Sequence, residues 1–181
     1  MRTEDCDILI VPGLDGSGPD HWQARWAAKL RTARIVVQDD WSAPDLARWP
    51  ARLAEAVART SRPVVLVAHS FGTHVVAAAA ADVAERVAGA YLVAPPDLDD
   101  ESRMPEGLRA MSVPAHPLPF ASVLIASRTD PYCSFPRAEA IAAAWGAELT
   151  DAGESGHINC ESGHGPWPEG LMRFAGFLKR L

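Results

Sequence analysis

A serine, an aspartate and a histidine stand in this sequence at places where they could carry out acyl transfer together. Ser70, Asp130 and His157 each come after a segment that is predicted to form a strand. A serine hydroxyl becomes a strong nucleophile when a neutral imidazole accepts its proton, and an aspartate on the second imidazole nitrogen fixes the tautomer. Whether the three side chains meet depends on the elements that carry them.

The segment around Ser70 reads VVLVAHSFGTHVVAAAA. Val64–Val67 has the composition of a strand buried on both faces, and the alanine-rich stretch from Thr73 predicts a helix. The connection between them is so short that Ser70 must lie at the apex of a sharp turn, which is the geometry of a nucleophile elbow. Ala68 stands where the elbow pattern G-x-S-x-G has its first glycine. The alternative is a serine that only caps the helix.

Asp130 and His157 follow two later predicted strands. Asp130 lies in the turn after SVLIA, where its alternative role is to cap the segment that begins at Pro131. His157 ends the flexible sequence GESGH, and His164 is the competing candidate for the base. The chain order Ser70, Asp130, His157 is the order of the triad in α/β-hydrolases, and each residue follows the strand which that fold would use. This agreement favours a triad over three unrelated residues.

Two backbone amides are candidates for the oxyanion hole that acyl transfer requires. The Phe71 N–H lies at the helix N-terminus just after Ser70. The Leu14 N–H lies in the glycine-rich turn PGLDGSG, which follows the first predicted strand. Both amides are therefore expected near the nucleophile.

The same turn has a rival interpretation as a dinucleotide-binding fingerprint, because Gly13, Gly16 and Gly18 follow a strand. Asp39 lies about where the fingerprint has its ribose-binding acid. The glycine spacing differs from G-x-G-x-x-G, however, and Asp20, the predicted cap of the next helix, would place a carboxylate where the pyrophosphate binds. We therefore expect no nucleotide and no other cofactor.

Strand-like and helix-like segments alternate along the chain. Strands are predicted at Asp7–Val11, Arg34–Gln38, Val64–Val67, Gly89–Val93, Ser122–Ala126 and Ala147–Thr150. Helices are predicted at about His21–Leu30, Asp45–Thr60, Thr73–Ala81, Arg137–Trp145 and Pro168–Leu181, the first with Asp20 and Gln23 in a capping box. The alternation predicts one α/β domain over residues 1–181, with a mainly parallel sheet of about six strands and helices on both faces. An active site is expected at the carboxyl ends of the strands.

The segment Pro95–Pro119 is irregular, rich in proline and charge, and too short for a lid domain. We expect it to contain at most one short helix and to cover part of the site. Met104 and Met111 of this segment are candidates for the pocket wall. Trp41 and Trp167, which lie in loops at the expected active face, are two further candidates.

The composition is that of an ordinary globular protein and restricts its partners. Hydrophobic residues make up 48%, charged residues 22%, and the net charge is −6 with no run of lysine or arginine, which argues against a nucleic-acid partner. The acidic N-terminus differs from a signal peptide, and no apolar stretch reaches membrane-spanning length. Cys6, Cys133 and Cys160 lack metal-site spacing, so we expect no metal, reduced thiols and a cytoplasmic location.

Several motifs resemble one known family over nearly the whole chain: PGLDGSGPDHW, W..P....W, AHSFG, YLVAPPD, AS..DPYC and GHIN..SGHG.WPEG. They are similar to the small serine hydrolases that include retinoblastoma-binding protein nine and its bacterial relatives. The resemblance implies a compact α/β-hydrolase fold without a lid, a triad of Ser70, Asp130 and His157, and weak carboxylesterase activity. The Leu-x-Cys-x-Glu motif used for retinoblastoma binding is absent, so that partner is not expected.

Two functions are compatible with these observations. The first is a serine hydrolase that cleaves small esters or amides through an acyl-enzyme intermediate. The second is a non-catalytic module that binds a ligand or a protein and carries a vestigial triad. Complete triad geometry would favour the first, and a site buried beneath Pro95–Pro119 would favour the second.

Overall fold

The computed structural model describes residues 1–109, 111 and 115–181, and among them six strands form one parallel sheet in the order β2-β1-β3-β4-β5-β6. The strands are β1 (Asp7–Val11), β2 (Ala33–Ile35), β3 (Val64–His69), β4 (Val87–Val93), β5 (Ala121–Ala126) and β6 (Glu148–Asp151). Every neighbouring pair is parallel. The prediction of an α/β fold with about six mainly parallel strands is confirmed.

Helices cover both faces of the sheet. They are α1 (Trp22–Lys29), α2 (Arg48–Ala58), α3 (Phe71–Val83), α4 (Phe135–Trp145) and α5 (Pro168–Leu178). The side chains of α1 and α5 form one core with the sheet, and those of α2, α3 and α4 form the other. Along β3, Leu66 and Ala68 belong to the α2–α4 core while Val65 and Val67 belong to the α1–α5 core, which explains why the strand is apolar from Val64 to Ala68. None of the helices in the described residues is long and apolar enough to cross a membrane.

Some element ends differ from those predicted. Helix α2 begins at Arg48 rather than near Asp45, because the Asp45 carboxylate accepts the N–H groups of Ala47 and Arg48 at 2.6 and 3.1 Å and so precedes the first turn. Helix α3 begins at Phe71 rather than Thr73, since β3 runs to His69 and the turn is shorter than expected. These shifts leave the order of the elements unchanged.

The prediction that Asp20 caps α1 is wrong. His21 is the cap, and its Nδ1 accepts the Gln23 N–H at 3.2 Å. The Asp20 carboxylate instead forms an ion pair with Arg25 at 2.9 Å. The predicted capping box fails because the Gln23 side chain is fully buried and donates to backbone carbonyls of β1 and β3 at 3.3 and 3.2 Å. The glutamine thus ties α1 to the sheet close to its carboxyl edge.

The covering segment, Pro95–Pro119, forms a single short 3-10 helix within its described residues, at Glu106–Leu108. Its first part is fastened to α4, since the Arg137 guanidinium donates to the Asp97 carboxylate at 2.9 Å. The Asp97 N–H donates in turn to the backbone carbonyl of Tyr132 at 2.9 Å. These bonds hold the start of the segment beside the loop that follows β5.

Candidate active site

Ser70 lies in the turn between β3 and α3 with a backbone conformation that residues other than glycine rarely adopt. Its φ is 55° and its ψ is −131°. The Ser70 N–H donates to the Val93 carbonyl at 2.9 Å, and the N–H and hydroxyl of Thr73 donate to the Ser70 carbonyl at 2.9 and 2.7 Å. Such strain persists only where the surrounding structure enforces it. Here it projects the serine side chain beyond the carboxyl edge of the sheet, as in a nucleophile elbow.

Small residues allow the chain segments around Ser70 to meet closely. A Cβ atom on Gly72 would lie 2.2 Å from the Val11 carbonyl oxygen, and one on Gly13 would lie 2.9 Å from Ser70 Cβ. Ala68 is fully buried in β3, in register with Val11 of β1. The turn after β1 and the start of α3 are therefore pressed against each other beside the serine.

The side chains of Ser70, His157 and Asp130 form a continuous hydrogen-bonded chain. His157 Nε2 lies 2.9 Å from Ser70 Oγ, and His157 Nδ1 lies 3.0 and 2.9 Å from the two carboxylate oxygens of Asp130. Asp130 also accepts the Tyr132 N–H at 2.9 Å, so its capping role and its bond to the imidazole coexist. With the Nδ1 proton donated to the carboxylate, the lone pair of Nε2 faces the serine hydroxyl.

Two hydroxyl side chains join the loops that carry Asp130 and His157. Ser127 Oγ accepts the Ser155 N–H at 2.9 Å, and Thr129 Oγ1 accepts the Gly156 N–H at 3.0 Å. Both hydroxyls belong to the loop after β5, and both amides belong to the loop after β6. The separation of carboxylate and imidazole is therefore fixed by bonds between the loops as well as by the two side chains themselves.

Two further histidines, His69 and His21, lie beside His157. The ring centroids of His21 and His69 are 4.9 Å apart, as are those of His69 and His157. Burial, with a smaller contribution from His157, lowers the pKa of His21 to about 4 and the pKa of His69 well below its usual value. Both imidazoles are neutral at pH 7. The positive charge that His157 would gain on accepting a proton therefore meets no cationic imidazole.

The two amides predicted to form the oxyanion hole belong to segments in contact with each other. A Cβ atom on Gly13, the residue before Leu14, would lie 3.0 Å from the Phe71 nitrogen. Neither the Leu14 N–H nor the Phe71 N–H donates to an acceptor among the described residues. The Phe71 side chain is fully buried, with its ring centroid 5.4 Å from that of Trp49, so this residue can offer the site only its backbone.

A cavity of about 420 Å³ opens onto Ser70 and His157. Its apolar wall consists of Leu14, Pro96, Pro105, Leu108 and Tyr132. The rest of its lining includes His21, Asn159, Cys160 and two exposed carboxylates, Asp15 and Glu161. Because Pro96, Pro105 and Leu108 come from the covering segment, that segment forms one wall of the cavity.

The four side chains predicted for the pocket wall lie outside the cavity lining. Trp167 is 6% exposed and packs among aromatic side chains of α1 and α5. The Trp41 ring centroid lies 5.6 Å from that of Trp49. Met104 is buried in the α2–α4 core, and Met111 is partly buried against that core. None of the four is among the described residues that line the cavity.

His164, the competing candidate for the base, takes part in a turn. Its Nδ1 lies 3.2 Å from Ser162 Oγ, and its N–H donates to the Asn159 carbonyl at 2.8 Å. The imidazole in contact with the Ser70 hydroxyl is that of His157.

The sequence matches one known protein family. The sequence profile of a family described as serine hydrolase matches residues 8–176. The chain belongs to this serine hydrolase family. The resemblance of the motifs is confirmed at this level, as a small serine hydrolase of the α/β-hydrolase superfamily. None of the curated proteins matches the sequence.

Solved structures similar to this serine hydrolase come from several bacteria. A protein of Pectobacterium atrosepticum assigned as a YdeN-like hydrolase is 35% identical, with a TM-score of 0.85 over 97% of this chain and 91% of that one. The ydeN gene product of Bacillus subtilis is 20% identical, with a TM-score of 0.73 over 96% and 99% of the chains. Esterase 2 of Thermogutta terrifontis is 14% identical, with a TM-score of 0.71 over 99% and 85%. At 20% and 14% identity, the similarities to the B. subtilis and T. terrifontis proteins show a shared fold and no more.

His21 and Tyr132 are among the side chains lining the cavity of this serine hydrolase that the sequence did not predict. The sequence placed His21 only at the start of a predicted helix, whereas the residue forms part of the cavity wall. Nothing in the sequence indicated Tyr132 as a site residue, yet its ring meets the His157 ring edge-on with centroids 4.6 Å apart, and it lines the cavity. His21 belongs to the motif PGLDGSGPDHW and Tyr132 to AS..DPYC, so the motifs that carried the family resemblance were the available signal.

Proposed function

We propose that this protein hydrolyses small esters or amides through an acyl-enzyme intermediate, with Ser70 as nucleophile, His157 as general base and Asp130 as the group that orients the imidazole. The observation that carries the proposal is the unbroken chain of contacts from Asp130 to Ser70 Oγ, with 2.9 Å on each side of the imidazole. A non-catalytic binding module with a vestigial triad is the alternative, and the intact alignment of all three side chains argues against it.

The proposed reaction has two halves. In the first, Ser70 Oγ attacks the substrate carbonyl carbon while its proton passes to His157 Nε2, and the carbonyl electron pair moves onto oxygen. The bond to the leaving group then breaks, and the leaving group takes the proton from His157. In the second half, a water molecule attacks the acyl-enzyme in the same way, so that the acid is released and the Ser70 hydroxyl is restored. Asp130 stays ionised throughout and stabilises the imidazolium.

The oxyanion of each tetrahedral adduct would accept hydrogen bonds from the Leu14 and Phe71 amides. Both amides are without an acceptor in the described part of the chain, and Phe71 N is the first helical amide after the nucleophile. An unpaired amide at a helix N-terminus favours negative charge, and one such donor typically contributes about 3 kcal/mol to transition-state stabilisation. This assignment uses only backbone groups, so side-chain truncation at Leu14 should spare the hole itself.

Labelling with a fluorophosphonate probe tests the proposed nucleophile. The wild-type protein should react covalently, because the probe forms a stable adduct with an activated serine hydroxyl. The Ser70→Ala variant should give no adduct, whereas Ser42→Ala, at an exposed serine, should label like the wild type. Equal labelling of wild type and Ser70→Ala, or no labelling of either, would rule out the enzyme and leave the binding module.

Substrate size gives a second prediction. Each methylene that finds an apolar wall gains about 0.8 kcal/mol, whereas one left in water gains almost nothing. The apolar wall is limited to a few residues such as Leu108 and Pro105, and the carboxylates Asp15 and Glu161 also line the cavity. We expect kcat/KM on p-nitrophenyl esters to peak at acyl chains of roughly two to four carbons. The measurement runs from acetate to decanoate, and a steady rise to decanoate would contradict the prediction.

A small-molecule ester or amide is the only partner that this proposal requires.

The proposed cytoplasmic location is supported by the cysteines, since Cys6, Cys133 and Cys160 are all free thiols and oxidising compartments favour disulfides.

A further inference from the structure

Ile158, the residue directly after the proposed base His157, has a backbone conformation that its β-branched side chain disfavours. Ile158 has a φ of 49°, in the left-handed region that β-branched residues almost never adopt. Its side chain is fully buried, so the loop is not free to relax at this position. A strained residue of this kind needs neighbouring contacts that hold it in place. Because Ile158 follows His157, whatever holds it also determines the direction in which the imidazole points.

Two buried aromatic N–H groups bind the consecutive carbonyls of His157 and Ile158. Trp22 Nε1–H donates to the Ile158 carbonyl at 2.9 Å, and His69 Nε2 bonds the His157 carbonyl at 2.8 Å. A carbonyl can only accept, so His69 carries its proton on Nε2 and acts as the donor. Both donors are nearly inaccessible to solvent, with 0% of Trp22 and 6% of His69 exposed. A buried carbonyl that loses such a donor leaves a costly unpaired group.

The two donors belong to elements that are themselves firmly packed. Trp22 is the first residue of α1, and its ring meets the rings of Trp26 and Trp167 at centroid distances of 4.7 and 5.0 Å. His69 is the last residue of β3 and precedes Ser70 in the chain. Trp22 therefore connects the loop after β6, which carries His157, to the α1–α5 core. His69 connects the same loop to the turn that carries Ser70.

We propose that Trp22 and His69 are positioning residues, whose two hydrogen bonds hold the backbone of His157 and Ile158 in the strained conformation that directs His157 Nε2 at Ser70 Oγ. The proposal rests on the proposed function, since it concerns the geometry of the same triad. Neither side chain takes part in the proton transfers. Their hydrogen bonds raise the fraction of molecules in which the His157 imidazole is aligned with the Ser70 hydroxyl.

The first test compares Trp22→Phe with Trp26→Phe, two matched losses of an indole from neighbouring positions of one helix. Trp26 is 5% exposed in the same core, and its indole N–H donates to no acceptor among the described residues. We expect Trp22→Phe to lower kcat and the rate of fluorophosphonate labelling by about tenfold with KM nearly unchanged, because misaligned molecules still bind substrate. Trp26→Phe should keep both rates near those of the wild type. Equal losses in the two variants would overturn the proposal.

The second test uses His69 and does not depend on Trp22→Phe folding well. Glutamine at this position has an amide N–H at the same bond count from Cβ as His Nε2, whereas leucine has no donor. We expect His69→Gln to recover most of the kcat that His69→Leu loses. Equal kcat values in the two variants would show that the donor has no positioning role.

A spectroscopic readout separates failure of this inference from failure of the proposed function. The proton between His157 Nδ1 and Asp130 should give a low-field NMR resonance in the wild type, and the resonance should persist in Trp26→Phe and His69→Gln. It should broaden by exchange in Trp22→Phe and His69→Leu, because the imidazole leaves its aligned position more often. An unchanged resonance in the last two variants would overturn the positioning role even if no activity were found in any protein. If the resonance changes as expected but wild type is inert towards the probe, the proposed function is wrong and the positioning role stands.

Discussion

Replacing His157 with alanine is expected to lower kcat/KM on p-nitrophenyl acetate by about 10⁴-fold or more, the size of loss that removal of a triad histidine gives. The reason is that His157 Nε2, which lies 2.9 Å from Ser70 Oγ, is the proposed acceptor of the serine proton. Without the imidazole, the serine proton has no acceptor during the attack, and the leaving group has no donor. Initial-rate measurements across a range of substrate concentrations provide the value.

His164→Ala is the matched control for that experiment, because it removes the competing imidazole from the same stretch of chain. Its ring interacts with Ser162 Oγ at 3.2 Å, within a turn of the loop. We expect His164→Ala to keep most of the wild-type activity and to lose only a little stability. If His164→Ala were inactive while His157→Ala retained its activity, the base would have to be reassigned to His164.

The meeting of Ser70, Asp130 and His157, the proposed triad, could be predicted because its signals are local. Each of its residues follows a strand, and parallel strands bring their carboxyl ends to one edge of the sheet. Ser70 additionally lies between an apolar run and an alanine-rich helix, so even the sharpness of its turn was visible in the sequence. The same reasoning predicts the Leu14 and Phe71 amides as an oxyanion hole. The segments that carry these amides are in contact, and their role in binding an oxyanion stays a prediction.

The surroundings of the triad could not be predicted because they depend on which loops meet. Nothing near Gln23 in the sequence indicates that its side chain turns inward to bond carbonyls of β1 and β3. The role of Trp22 likewise requires a partner, Ile158, that is remote in the chain. The position of their loops predicts Trp41 and Trp167 at the pocket, but the direction of a side chain is decided by packing. Burial of a large aromatic ring contributes more to stability than burial of most other side chains.

Acidification is expected to destabilise the fold between about pH 6.5 and pH 4, because three histidines are buried in neutral form. Burial lowers the pKa of His21 and of His74 to about 4, and it lowers the pKa of His69 well below its usual value. In the unfolded chain each of them binds a proton near pH 6.5, while the native protein does not. The unfolded state therefore holds more protons in this window, so the free energy of unfolding falls as the pH falls and is constant above it with respect to these groups.

A substitution at His74 measures the contribution of one histidine to this pH dependence. It is buried beside Trp145, donates from Nε2 to the Pro96 carbonyl at 2.7 Å, and its pKa is lowered chiefly by burial, against opposing contributions from that bond and from nearby Asp97 and Asp99. His74→Gln can keep the donor but cannot titrate, so the slope of unfolding free energy against pH should shrink by about 1.2 kcal/mol per pH unit between pH 6 and pH 5. Urea unfolding at several pH values measures that slope, with His116→Gln, at an exposed histidine, as the control that should leave it unchanged. Equal slopes for wild type and His74→Gln would mean that His74 is protonated in the native protein as readily as in the unfolded chain, and that its burial does not exclude the charge.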